Sequence, residues 1–491
     1  MSASSEVRAH LDHPVVDIDG HAIEYFPVLA GFLEREGVDL ASSSLRRLLP
    51  GAFGPEADWY ALSPGERARR RTARPPWWGA PARNTRDLAT AMFPALLHER
   101  LDELGIDVSV IYPSIGLVFL HFADERERRG ACRALNRCNA EMFAPFADRL
   151  VPVAAIPMHT PEEAIDALDD AAGLGFKAVL LAGYVQRPAE ALTVEHPDAA
   201  RWGLWLDQYG IDSAYDYDPV WAKCRELGVS VAFHSGSIGW GSRRSISSYM
   251  YNHIGHLAEG QHALCKSLFL GGVTRRFPEL NFAFLEGGVA WAASLYADLV
   301  GHWEKRNRTA LDALDPRHID RDLFVELLGQ YGHTGGPPAS TRAMPPRSPE
   351  DPATLDEWAA LAIERPEDLR DLFVPRFFFG CEADDPLTTT AFNTKVNPFG
   401  ARLQAMFGSD IAHWDVPDMS EVTEEAWEMV DHGLITEDDF RDFVFVNPVR
   451  FFTGGNRRFF EGTVVEGAVD GLLAGVAPAP GSRRSAPCST S

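Results

Sequence analysis

Short apolar runs that end in polar residues recur along the chain, and most are followed by a stretch of helical period. VVDID (15–19) runs into GHAIE. DVSVIYPS (107–114), LVPVAAIPM (150–158), FKAVLLAG (176–183), VSVAFHSG (229–236) and LNFAFLEGG (280–288) follow the same plan. Continuous apolar runs of this length mark strands buried on both faces. Between them, LLHERLDELGI (96–106), CRALNRCNAEMFAPFA (132–147), DPVWAKCRELG (218–228) and HLAEGQHALCKSLFLGGVTRRFP (256–278) predict helices. TPEEAIDALDDAAGLG (160–175) predicts another, with a capping start and a glycine stop. RFFFGCEADD (376–385) and LQAMFGSDIAHWD (403–415) predict the last two strands with their loops. This alternation predicts a parallel sheet covered by helices, and the strand count suits a (β/α)8 barrel.

Such a barrel takes roughly 250 residues, and this chain has 491. The surplus falls in identifiable places. Residues 1–13 read as a loose arm, and 14–472 as one barrel with insertions at about 40–95 and 305–375. A helical extension is expected over about 418–472, and a disordered tail over 473–491. The later insertion contains GHTGGPPASTRAMPPRSPEDP (332–352), whose proline and glycine predict a long loop.

Net charge of −24 argues against a nucleic-acid partner, because phosphate binding wants a basic surface. No stretch approaches the about 20 apolar residues of a membrane span. The opening MSASSEVRAHLDHP lacks a secretory pattern. Six scattered cysteines without a CxxC pair read as reduced thiols, so a cytoplasmic protein is expected.

The polar residues at the strand ends carry the candidate chemistry. Asp19, His21, His234, Glu286 and Asp410 each sit just past an apolar run. In a barrel those ends share one face, where active sites form. Residues i and i+2 of a strand point the same way, so Asp19 and His21 can reach one metal with Gly20 between them. Each alone has a plain structural explanation, such as capping a helix; their recurrence predicts a metal site. His256 is a further candidate ligand, in NHIGHLAEGQH. His262, His413, Glu24 and Glu382 are candidates for supporting or catalytic roles, with His413 placed to orient a ligand.

DIDGHAIE, VAFHSG, RRFPELNFAFLEGGVAW and FGSDIAHWD together resemble the amidohydrolase-related group that includes metal-dependent decarboxylases such as aminocarboxymuconate-semialdehyde decarboxylase. The resemblance runs from about residue 14 to 460. It implies ligand positions at Asp19 and His21 on the first strand, His234 on the fifth and Asp410 on the eighth. The group's His-x-His opening is Asp-x-His here, and its sixth-strand histidine position holds Glu286. No lysine stands at the end of the fourth strand, because Lys177 is at its start.

Two histidines with three carboxylates make an oxygen-rich set, which suits iron or manganese better than zinc. A narrower resemblance is carried by GHAIEYFPVL, RPPWWGAPARNT, ERLDELGIDVSVIYPSIGL and the 252–288 segment. These are similar to the nonheme diiron monooxygenase type of platensimycin and platencin biosynthesis, which hydroxylates a coenzyme A-tethered diterpenoid. It implies two iron ions, O2, an external electron donor and a lipophilic acyl-CoA substrate. Trp77, Trp78, Phe233, Trp240 and Trp291 are then candidate pocket walls, and Arg71 and Arg74 candidate phosphate holders. The alternative is a hydrolase or nonoxidative decarboxylase using one zinc or manganese on Asp19, His21, His234 and Asp410. A homodimer is expected by analogy with related barrels.

Overall fold

The computed structural model describes residues 2–42, 59–76, 83–200, 203–332, 350–351 and 354–475. Among the described residues, eleven strands are β1 (Val16–Ala22), β2 (Val108–Pro113), β3 (Leu150–Pro152), β4 (Ala154–Ile156), β5 (Val179–Leu181), β6 (Val185–Pro188), β7 (Leu204–Asp207), β8 (Val231–Phe233), β9 (Phe282–Phe284), β10 (Phe377–Glu382) and β11 (Gln404–Gly408).

Two parallel ladders run β1-β2-β3 and β4-β5-β8-β9-β10-β11. β3 and β4 are one stretch of chain that changes partner at Val153. The Val153 N–H donates to the Ile111 carbonyl on β2 (3.1 Å), and the Ala154 N–H to Ala178 beside β5 (3.0 Å). Taken as one strand, they complete eight parallel strands in chain order. The two ends of this series meet where the Asp410 N–H donates to the Asp19 carbonyl at 2.9 Å. Among the described residues no ladder pairs β11 with β1. β6 and β7 form an antiparallel hairpin apart from this series.

The period of two along each strand separates helix-facing from barrel-facing side chains. Phe282, Phe284, Phe377 and Phe379 meet Trp221, Phe269, Trp291 and Phe373 from the covering helices, with ring centroids 5.0–6.2 Å apart. Phe233 stacks on Phe284 at 5.8 Å, so it lies on this outer side and its neighbour His234 is turned the other way. Phe233 is therefore core rather than pocket wall, against the sequence expectation.

The C-terminal extension is helical as expected, with α-helices at Val422–Asp431, Glu437–Arg441, Asn447–Gly455 and Glu466–Gly475. It floors the barrel. Asn447 Nδ2 donates to the Ala405 carbonyl (2.9 Å), while the Phe451 carbonyl accepts from Ser230 Oγ (2.6 Å) and Asn281 Nδ2 (3.1 Å). These partners stand at or just before the starts of β11, β8 and β9, so the opposite mouth is the one left for chemistry. Lys177 lies at the floor end too, donating to the Phe459 carbonyl at 3.0 Å.

Residues 1–13 are not a loose arm. Ala3–His10 is a helix capped by Ser2, and buried Ser4 caps the 422–431 helix by accepting from Thr423 N (3.0 Å) and Glu424 N (3.1 Å). Arg8 adds an ion pair with Asp107 at 2.5 Å. The early insertion contributes Pro64–Arg70 and Thr85–Met92, capped by Ser63 and Asn84. The later one contributes Arg321–Tyr331, on which Leu323, Phe324, Val325 and Leu327 are all exposed. Trp77, Trp78, most of the 332–352 loop and the expected tail from 476 onward lie outside the described residues. Cys132, Cys138, Cys224, Cys265 and Cys381 are buried and unpaired. No helix among the described residues is long and apolar enough to cross a membrane.

Candidate metal centre

β1 delivers Asp19 and His21 through an irregular register. Its pairing with β2 runs Val16↔Val108 and Asp17↔Ser109, then resumes at Gly20↔Ile111 and His21↔Tyr112. A shift of this kind re-aims side chains at a barrel rim. It demands glycine at 20, because a Cβ there would stand 2.2 Å from Ser109 Oγ. Gly408 on β11 is required for a similar reason: a Cβ would lie 2.9 Å from that of Asp19.

β8 ends one residue before His234, and β9 two residues before Glu286. Asp410 follows β11 by two. Glu286 (φ 59°) and Asp410 (φ 46°) both hold left-handed backbones. For residues other than glycine this costs of order 1–3 kcal/mol each and persists where surrounding structure imposes it, commonly at functional sites.

These side chains converge. His21 Nε2 lies 3.1 Å from His234 Nε2, 3.4 Å from Asp19 Oδ1 and 3.5 Å from Asp410 Oδ1. His234 Nε2 lies 2.8 Å from Glu286 Oε2. Donors that share one ion at about 2.1 Å stand about 3 Å apart, which is the spacing seen here. Among the described residues, three groups of donor atoms fall within 4.8 Å of one another: Asp19, His21 and His234; His21, Glu286, Asp410 and His413; and Glu286, Glu382 and Asp415. The first two share His21, and the last two share Glu286.

The electrostatics favour cations. Burial raises the Asp19 carboxyl well above the usual carboxylate range, with His234 pulling the other way. Burial raises Glu286, Glu382 and Asp410 likewise, and repulsion from neighbouring acids adds to it. Burial also drives His21 well below the ordinary imidazole value. Asp19 Oδ1 and both Asp410 carboxylate oxygens are buried without a hydrogen-bond donor. Orphaned carboxylate oxygens beside neutral imidazole nitrogens form an unfavourable arrangement on their own, and divalent cations resolve it. The donor set therefore fits metal ions.

Around this centre, His413 Nδ1 lies 2.6 Å from Asp410 Oδ1, and its Nε2 3.2 Å from Ser114 Oγ. Burial takes its pKa down to about 3. Glu382 stands in the acidic group. Its partner there, Asp415, escaped the sequence reading: it lies in a loop five residues past Asp410, where strand periodicity says nothing.

Other candidates fall outside the three groups. His256 is held away, with its ring 4.6 Å from that of His253, and burial brings it to about 2. His262 packs near Trp291, ring centroids 6.1 Å apart. Glu24 accepts from Ile115 N (2.8 Å) and Gly116 N (3.2 Å), so it anchors the turn that carries Ser114. Trp291 packs between Phe284 and Phe379 on the helix-facing side. Trp240 lies 5.5 Å from Tyr184, past the ends of β8 and β5. Arg74 is tied to the loop after β8 through Ser245 O (2.9 Å) and Ser247 O (3.2 Å), while Arg71 is exposed at a helix end.

Residues 83–323 match the Amidohydrolase family. Among solved structures, the chain is similar to an amidohydrolase from Mycobacterium avium subsp. paratuberculosis K-10. Identity is 17%, coverage 90% of this chain and 100% of that one, and the TM-score 0.50. It is also similar, at 16% identity and TM-score 0.47, to a 2,6-dihydroxybenzoate decarboxylase from Rhizobium (90% and 99% covered). The same identity and TM-score hold for a dihydroxybenzoic acid decarboxylase from Polaromonas sp. JS666, solved with manganese and 2-nitroresorcinol (90% and 97%). The fold is thus the amidohydrolase-type barrel, and the match to the Amidohydrolase family model spans residues 83–323 of the chain.

Proposed function

We propose that this chain is a metal-dependent enzyme with two adjoining cation sites, and that oxygenation is the chemistry its donors suit best. The observation that carries this is the all-carboxylate group Glu286, Glu382 and Asp415, joined through Glu286 to the imidazole-bearing groups. Asp19, His21 and His234 would hold one ion. Glu286, with Glu382, Asp415 or Asp410, would hold the other. Carboxylate-rich sets with a few histidines suit iron or manganese, and paired irons in other folds use them. When bound, such a pair supplies electrons to O2. The balance is that one oxygen atom enters a substrate C–H bond and the other leaves as water, with two electrons and two protons from an external donor. The chain's own part is to bring the donors together and to hold the substrate.

A lipophilic acyl-CoA as substrate, with Arg71 or Arg74 meeting its phosphates, an external reductase and a homodimeric assembly all belong to this proposal. They are supported by the narrower sequence resemblance alone. The second reading is hydrolysis or nonoxidative decarboxylation with one zinc or manganese on Asp19, His21, His234 and Asp410. The family match over 83–323 supports it more than it supports oxygenation. There the ion would polarise a carbonyl or carboxylate, with Asp410 moving the proton.

Metal analysis of anaerobically purified protein tests the choice. About two irons per chain, a coupled ferric pair in the Mössbauer spectrum after oxidation, and O2 uptake on reduction are expected. One zinc or manganese per chain with no O2 uptake would return the protein to hydrolysis or decarboxylation.

A further inference from the structure

Tyr112, the last residue but one of β2, stands opposite His21 in the β1–β2 register. Its ring centroid stands 6.2 Å from that of His21 and 6.3 Å from that of His234. The side chain is 1% exposed, and its hydroxyl has no hydrogen-bond partner. A buried hydroxyl without a partner is destabilising, and phenylalanine would fill the same space without that cost. Buried Tyr209 and Tyr217 do not share the defect: Tyr209 donates to the Ala182 carbonyl and Tyr217 to the Met158 carbonyl. A phenol, with an ordinary pKa of about 10, carries its proton at neutral pH. The group is therefore a donor held beside both candidate imidazole ligands, among residues that offer it nothing.

We propose that Tyr112 donates a hydrogen bond to the non-protein oxygen or nitrogen ligand taken up at the metal centre, and so positions that ligand. The proposal rests on the metal-dependent reading above but not on which metal or reaction is correct. It concerns small anionic or oxygen-bearing ligands as a class, for which azide serves as a probe.

The test uses the full chain loaded with cobalt(II) and titrated with azide at neutral pH, followed by the visible cobalt bands. Tyr112→Phe is expected to keep the cobalt content of the wild type and to bind azide about tenfold more weakly, with shifted bands, as loss of a hydrogen bond to a charged acceptor implies. Placing 3-fluorotyrosine at 112, a more acidic phenol and stronger donor, is expected to tighten azide binding. Equal azide affinity and equal bands in wild type and Tyr112→Phe would overturn the proposal and leave Tyr112 as packing. If Tyr112→Phe fails to fold or to take up cobalt, the 3-fluorotyrosine protein decides, and an unchanged azide affinity there overturns the proposal. Failure of the wild type itself to bind cobalt would instead sink the metal-dependent reading.

Discussion

Asp17 joins the first barrel strand to the residue that follows the last one. Its carboxylate accepts from Ser409 N at 2.9 Å and from Ser409 Oγ at 2.8 Å, and also from Ser109 Oγ on β2 at 2.5 Å and Asp19 N at 3.1 Å. It sits two residues before Asp19 and is just as buried, yet its oxygens are fully satisfied where Asp19 Oδ1 is orphaned. The same residue type thus serves closure at one position and ligation at the other. Asp17→Ala leaves four buried donors without an acceptor. It is expected to cost about 3 kcal/mol or more, read as a lowered urea midpoint, with Asp17→Asn milder. A midpoint within error of the wild type would show that closure does not depend on this carboxylate.

Glu286 separates the one-ion and two-ion readings. It is the residue shared by the histidine-bearing and all-acid groups, and the Asp19, His21 and His234 group does not need it. Glu286→Ala is therefore expected to lower metal content from about two ions per chain to about one, with the fold retained. Two ions still bound in the variant would remove Glu286 from the centre.

The strand ends were legible because burial on both faces forces continuous apolar runs, and a hard ligand just past such a run stands out. Asp19, His21, His234, Glu286 and Asp410 were all visible for that reason, and the structure brings them together. Loop residues carry no such period. Asp415 is missed on that account, and His256 remains only a further candidate, since no strand pattern says which way the first residue of its helix faces. Glu24 was read as a possible catalytic group because sequence cannot show that two backbone N–H groups of another loop already occupy it. The N-terminal helix was missed because its stability comes from caps and from the 422–431 helix, hundreds of residues away.

His413 is expected to act through Asp410. Its Nδ1 stands 2.6 Å from Asp410 Oδ1 and its Nε2 meets Ser114 Oγ at 3.2 Å, which places it to steer that carboxylate once a cation is bound. Removing such a partner typically weakens metal affinity 10–100-fold. His413→Ala should fall in that range in a chelator competition, and Ser114→Ala should lose about tenfold at most. Unchanged affinity in both variants would make His413 a bystander.

Glu24 gives a pH signature away from the metal ligands. Burial raises its carboxyl to about 7, against the lowering effect of the backbone N–H groups it accepts from. Between its unfolded value of about 4.3 and its folded value, the folded protein keeps a proton that the unfolded chain has released. Stability from this group therefore falls as pH rises through that window, and the cost stays constant above it. Glu24→Gln cannot ionise and lacks that loss. It also replaces one of two accepting oxygens by an amide, which costs a hydrogen bond to Ile115 or Gly116 at every pH. The variant should melt below the wild type at pH 5, and the gap should narrow by pH 8 or change sign. A gap in melting temperature that is the same at both pH values would mean that the Glu24 carboxyl titrates alike in the folded and unfolded chain.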